Sequence, residues 1–146
     1  MAKKAIFWAM LAMVLAFGLT VVGCDDEDTW KDPVIKVENG TAFQVKSVLI
    51  EKRNPGGVSF TYTPIKSDPA GISSGTSKSY QITTTDHEGF WVKVTLTVTA
   101  TLQQDKDITT SDLFIYSGEK YGAGVQNVTL LLSGTDYNSL QLTEIY

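Results

Sequence analysis

From residue 90 to residue 101 the chain alternates without a break. Phe90, Val92, Val94, Leu96, Val98 and Ala100 fall on one side, and Trp91, Lys93, Thr95, Thr97, Thr99 and Thr101 on the other. Successive side chains of an extended strand point to opposite faces. This period of two therefore predicts a long antiparallel strand with one face in a core and one in water. After Val34 no ten-residue segment keeps uninterrupted apolar residues at helical spacing. Seventeen threonines follow Cys24, and threonine suits a half-solvated pleat. The region from Val34 onward is expected to be β throughout.

Seven more strands complete the reading. Residues 34–38 lead through Asn39-Gly40 into 41–51, and Asn-Gly predicts a hairpin because both turn positions then need positive φ. Residues 58–63 alternate and are expected to stop at Pro64, with 67–71 and 73–75 as loops. Residues 78–84 carry Tyr80 and Ile82 inward, and Asp86-His87-Glu88-Gly89 turns the chain into the long strand. Segments 112–117, 125–133 and 139–145 bring the number to eight. Eight strands and no helix predict an all-β fold, either an antiparallel two-sheet sandwich (Ig-like or transthyretin-like) or a small barrel. Val128-Thr129-Leu130-Leu131-Leu132 is apolar on both faces and is expected inside a sheet, since an exposed edge of that composition would aggregate. About twenty large inward side chains, at roughly 1.5–3 kcal/mol each, offset the chain entropy without disulfides.

The N-terminus has a different texture. Lys3 and Lys4 precede an uncharged run from Ala5 to Val22, then Val21-Val22-Gly23-Cys24 meets Asp25-Asp26-Glu27-Asp28. A basic start, an apolar run, Gly-Cys and an abrupt polar switch resemble the signal peptide and lipobox of bacterial lipoprotein precursors. The resemblance implies that residues 1–23 form a signal helix and that cleavage falls between Gly23 and Cys24. It further implies that Cys24 becomes the acylated N-terminus, holding the protein to a membrane through its acyl chains. Residues 24–33 then read as a lipidated cysteine and acidic tether, and 34–146 as the β-domain. The implied location is the cell envelope, at the inner or outer membrane. Asp25 directly after the cysteine resembles the inner-membrane retention signal of enteric bacteria.

Composition excludes several function classes. The full chain has 146 residues with 12 basic and 16 acidic side chains; without Lys3 and Lys4 the formal charge falls from −4 to about −6. That balance opposes adsorption to nucleic acid and to anionic lipid. One cysteine and one histidine exclude an internal disulfide and make a Cys/His zinc site untenable. His87 reads as a solvated turn residue, and Asp105-Lys106-Asp107 as a loop tip. The run at residues 25–28 lacks the spacing and turn glycine of a calcium loop. No catalytic residues, metal or cofactor are expected.

Aromatic residues carry the remaining signal. Trp91 faces away from the valines of its own strand, while Tyr116, Tyr121 and Tyr137 lie at or near strand ends. Exposed aromatic side chains are how small β-modules hold proteins or glycans, so these four are the candidate binding residues. The expected function is a non-enzymatic, lipid-anchored binding or structural module, with a small envelope enzyme as the alternative class. A further alternative comes from Ser117-Gly118-Glu119-Lys120-Tyr121. It resembles the Ser-Gly-x-x-Tyr loop of membrane-bound inhibitors of c-type lysozyme, although Ser133-Gly134 stands where that family has Lys-Gly. The spacing of Asn39-Gly40-Thr41, Gly75-Thr76-Ser77, residues 80–82 and the Gly89-led valine strand is similar to small bacterial lipoprotein sandwiches. That resemblance implies a fold and no activity.

Overall fold

A computed structural model describes residues 32–56, 59–83, 89–115 and 127–145 of the protein. They form an all-β sandwich. Its strands are β1 (Val34–Asn39), β2 (Gln44–Asn54), β3 (Thr61–Asp68), β4 (Ser77–Gln81), β5 (Phe90–Thr99), β6 (Lys106–Thr109), β7 (Leu113–Ile115), β8 (Asn127–Ser133) and β9 (Gln141–Ile145). One sheet has the order β4-β1-β8-β9. The other has the order β3-β2-β5-β6, with β7 also on β5. The sheets do not close into a barrel.

The inner faces follow the period of two. Phe90, Val92, Val94, Leu96 and Val98 are buried, with Ala100 partly buried against them. Ile35 and Val37 of β1 face them from the other sheet with Val128, Leu130 and Leu132 of β8; Tyr80 and Ile82 are buried as expected. Strand β8 lies between β1 and β9, the interior position its composition requires. All pairings are antiparallel except β1 on β8, which is parallel with Val34 opposite Asn127.

Four expectations need correction. Asn39-Gly40 makes no hairpin: β1 and β2 belong to different sheets, and neither residue has positive φ. The Asn39 side chain is instead 1% exposed, and Nδ2 donates to the Phe43 and Ile72 carbonyls at 2.8 and 3.3 Å. Its Oδ1 accepts from Thr41 N and Thr41 Oγ1 at 3.1 and 2.8 Å. This buried amide stabilises a corner rather than a turn within one sheet. Secondly, β3 runs past Pro64 to Asp68. It is an edge strand, and Ile65 is the extra residue of a bulge between Glu51 opposite Pro64 and Ile50 opposite Lys66. Edges and bulges are where a strand tolerates a missing N–H. Thirdly, Lys106 and Asp107 are in β6, paired to Val98 and Thr97, and not at a loop tip. The strands therefore number nine. Fourthly, the antiparallel sandwich contains the parallel pair noted above.

The corner is close-packed. Gly71 has φ +63°, and a Cβ there would lie 1.9 Å from the Val45 carbonyl oxygen, so only glycine lets this loop pair Ile72 with Val45. Asp68, at the end of β3, bridges the sheets by accepting from the Tyr80 hydroxyl at 2.8 Å and pairing with Lys78 of β4. The Lys78 ammonium holds the Asp68 carboxyl below its ordinary range. A carboxyl so depressed contributes stability above its unfolded value, and that stability is lost as pH falls through the folded value. Melting temperature should accordingly fall between about pH 5 and pH 2, and Asp68→Asn should flatten that part of the profile. An unchanged acid limb in the variant would assign the effect to other carboxylates.

The two ends of the sandwich are distinct. Asn39 passes through residues 40–43 to Gln44, which pairs with Thr99, so these residues share one end. Val34, Gln81, Asn127, Phe90, Ile115 and Asn54 mark the other. There the incoming chain is fixed by a bond from Ile82 N to the Pro33 carbonyl at 2.9 Å and from Gln81 Nε2 to Asp32 at 3.2 Å.

Candidate functional site

The register of the β3-β2-β5-β7 strands places side chains in rows across the outer face. Arg53 is opposite Tyr62, and Trp91 is opposite Phe114; continuing the β2–β5 pairing one step past Lys52 and Val92 brings Arg53 beside Trp91. The result is a row Tyr62–Arg53–Trp91–Phe114 across four strands, with Phe60 just before β3. A second row behind it carries Glu51 and Lys93, paired at 3.3 Å.

The row is built on aromatic and cationic contacts. Trp91 and Phe114 have ring centroids 5.2 Å apart, tilted by 58°. The Arg53 guanidinium lies 4.2 Å from the Phe60 ring centre and 4.8 Å from that of Trp91. Asp112, just before β7, accepts from Arg53 Nη1 at 2.8 Å and from the Tyr62 hydroxyl at 2.9 Å. The bond to Asp112, reinforced by burial, pushes the Tyr62 hydroxyl above its ordinary value. Lys93 Nζ lies 3.8 Å from the Tyr62 ring centre. Such cation–aromatic and cross-strand pairs are each worth on the order of 0.2–1 kcal/mol at exposed sites. Even so, Trp91 remains 39% exposed, Phe114 42% and Phe60 57%. Three of the described protein's exposed large apolar side chains thus share one patch, at the end where the chain enters.

Trp91 is on the outer face, as its strand demands. Tyr137 is not a surface residue: it is 7% exposed and meets Phe43 edge to face at 5.4 Å. Its hydroxyl sits between the carbonyls of Val98 and Gln104, at 2.7 and 2.8 Å, and donates its one proton to either. Its ring packs the core and presents no face to a partner, which withdraws it from the candidate set. Tyr116, Tyr121, the Ser117–Tyr121 string, His87, Gly23 and Cys24 lie outside the described residues. The sequence did not single out Arg53, Phe60, Tyr62, Asp112 or Phe114. Each is unremarkable alone, and only the register makes them neighbours.

The far end holds an open depression of about 590 Å3 between Ala42, Phe43, Ala100 and Gln103. Beside it, Leu102 is fully exposed in the β5–β6 turn at φ +65°. Among the described residues no group of three His, Cys, Asp or Glu side chains converges as metal ligands, and no helix is long and apolar enough to cross a membrane.

Fold and surface together define an all-β sandwich that displays an aromatic and cationic row on the outer face of its larger sheet. No family model matches the chain, and neither does any curated protein or solved structure.

Proposed function

We propose that the chain is a non-enzymatic lipoprotein of the bacterial cell envelope, anchored through acyl chains on Cys24, whose domain makes its contact through the Tyr62–Arg53–Trp91–Phe114 row. The observation that carries the contact is Trp91 itself. Its strand contributes an unbroken core face on the opposite side, so the fold gains little from a tryptophan here, yet the side chain stands half out in a cluster of similar residues. Large rings with few rotatable bonds lose little entropy on being covered, which favours them as contact residues. The lipobox residues 21–24 and the polar switch that follows support the anchor.

Mass spectrometry of the mature protein should find an N-terminal acylated Cys24, and Cys24→Ala should abolish labelling by palmitate. A photoreactive amino acid replacing Phe114 in living cells should give a crosslinked adduct at that position. Trp91→Ala should cost no more than about 1 kcal/mol of stability and abolish that adduct. Retention of Met1 would overturn the anchor. A strongly destabilised Trp91→Ala that still forms the adduct would make Trp91 a packing residue.

A further inference from the structure

Resting on the reading of Cys24 as the anchor, we propose that the surface contacted by the aromatic row is the bilayer that holds the chain's own N-terminus. The chain outside the described residues reaches the domain at Asp32 and Pro33, which are bonded to Gln81 and Ile82 at the same end of the sandwich as the row. Residues 25–32 span at most about 26–29 Å when extended. The anchored cysteine therefore keeps this end within reach of the headgroups, and an intramolecular second contact needs little intrinsic affinity. Trp91, Phe60 and Phe114 are half-exposed around a guanidinium, the mixture of rings and cationic handle that partitions into a membrane interface.

The same geometry disfavours a sugar. Arg53 already lies 4.8 Å from the Trp91 ring centre, and Phe114 meets that ring at a tilt of 58°, so the two rings do not form the flat, coplanar platform on which a sugar stacks. Electrostatics do not drive the docking. Arg53 is paired with Asp112, Lys93 with Glu51, and the chain after Gly23 is acidic overall. Docking is therefore an insertion of rings among zwitterionic headgroups, insensitive to salt.

The test uses the full acylated protein with Trp30→Phe, which leaves Trp91 as the single tryptophan after residue 23. It is reconstituted in phosphatidylcholine vesicles whose lipids are brominated near the headgroup end of the acyl chains. Trp91 emission should fall by about twofold relative to unbrominated vesicles, unchanged by high salt. Phe60→Ser with Phe114→Ser should restore most of the emission while the protein still floats with the vesicles. Floating protein whose Trp91 is not quenched overturns the docking and leaves the anchor standing. Quenching that high salt abolishes overturns the insertion of rings. Protein that does not float overturns both. In cells, a Phe114 adduct carrying protein or glycan instead of lipid would also overturn the docking.

Discussion

Leu96→Ala should destabilise the domain by about 2–5 kcal/mol, seen as a lower denaturant midpoint at an unchanged slope. Leu96 is fully buried in the middle of β5, with Val48 and Ile108 as its cross-strand neighbours. Truncation removes apolar atoms from a site where two sheets meet, and the surrounding strands cannot collapse inward without breaking their ladders. The neighbouring Thr97 supplies the control. It is on the wet face, bonded to Asp107 at 2.7 Å, and Thr97→Ala should cost less than about 1 kcal/mol. A reversed order of the two variants would mean that β5 is in the opposite register.

Asn39→Asp should cost about 3–5 kcal/mol, far more than an exposed Asn-Gly turn would lose. The carboxylate keeps the bonds from Thr41 but turns a charge toward the Phe43 and Ile72 carbonyls, where the amide donated. The buried position gives that charge no water. Part of the loss should return as pH is lowered, because a protonated carboxyl can donate to one carbonyl again. Equilibrium unfolding at neutral and acid pH checks both parts. A loss below about 0.5 kcal/mol at neutral pH would place Asn39 in solvent.

These two residues also mark what could be read in the chain beforehand. The Leu96 face was legible because a strand's period is local and β5 obeys it over its whole length. The interior position of β8 was legible for a different reason: residues 128–132 are apolar on both faces, which an exposed edge would not tolerate. The corner at Asn39 was not. Asn-Gly favours a turn by its own backbone, but a side chain bonded to Ile72 overrides that preference, and the partner is remote in sequence. Pro64 ended the expected strand because a missing donor matters in an interior strand; it does not at an edge beside a bulge. In the candidate site, Trp91 was legible from alternation. Arg53 looked like one charge in a polar run, and its place beside Trp91 depends on the β2–β5 register, to which no local pattern points. Tyr137 was misread because proximity to a strand end says nothing about whether a ring turns in or out.

The parallel pairing of β1 with β8 has a consequence for how the protein is made. Ribosomes deliver the chain from its N-terminus, and β2, β3, β5, β6 and β7 are all synthesised before β8. The larger sheet can assemble while β1 still lacks its neighbour toward the C-terminus. Until β8 arrives, the inner faces of β2 and β5 are covered only by the part of the other sheet that β1 and β4 supply. Contacts between such distant parts of the sequence form slowly, and uncovered sheet faces invite association with other chains. The sandwich therefore closes only when β8 joins β1, and a fragment of the protein ending before Asn127 should be cut by proteases far faster than the full chain.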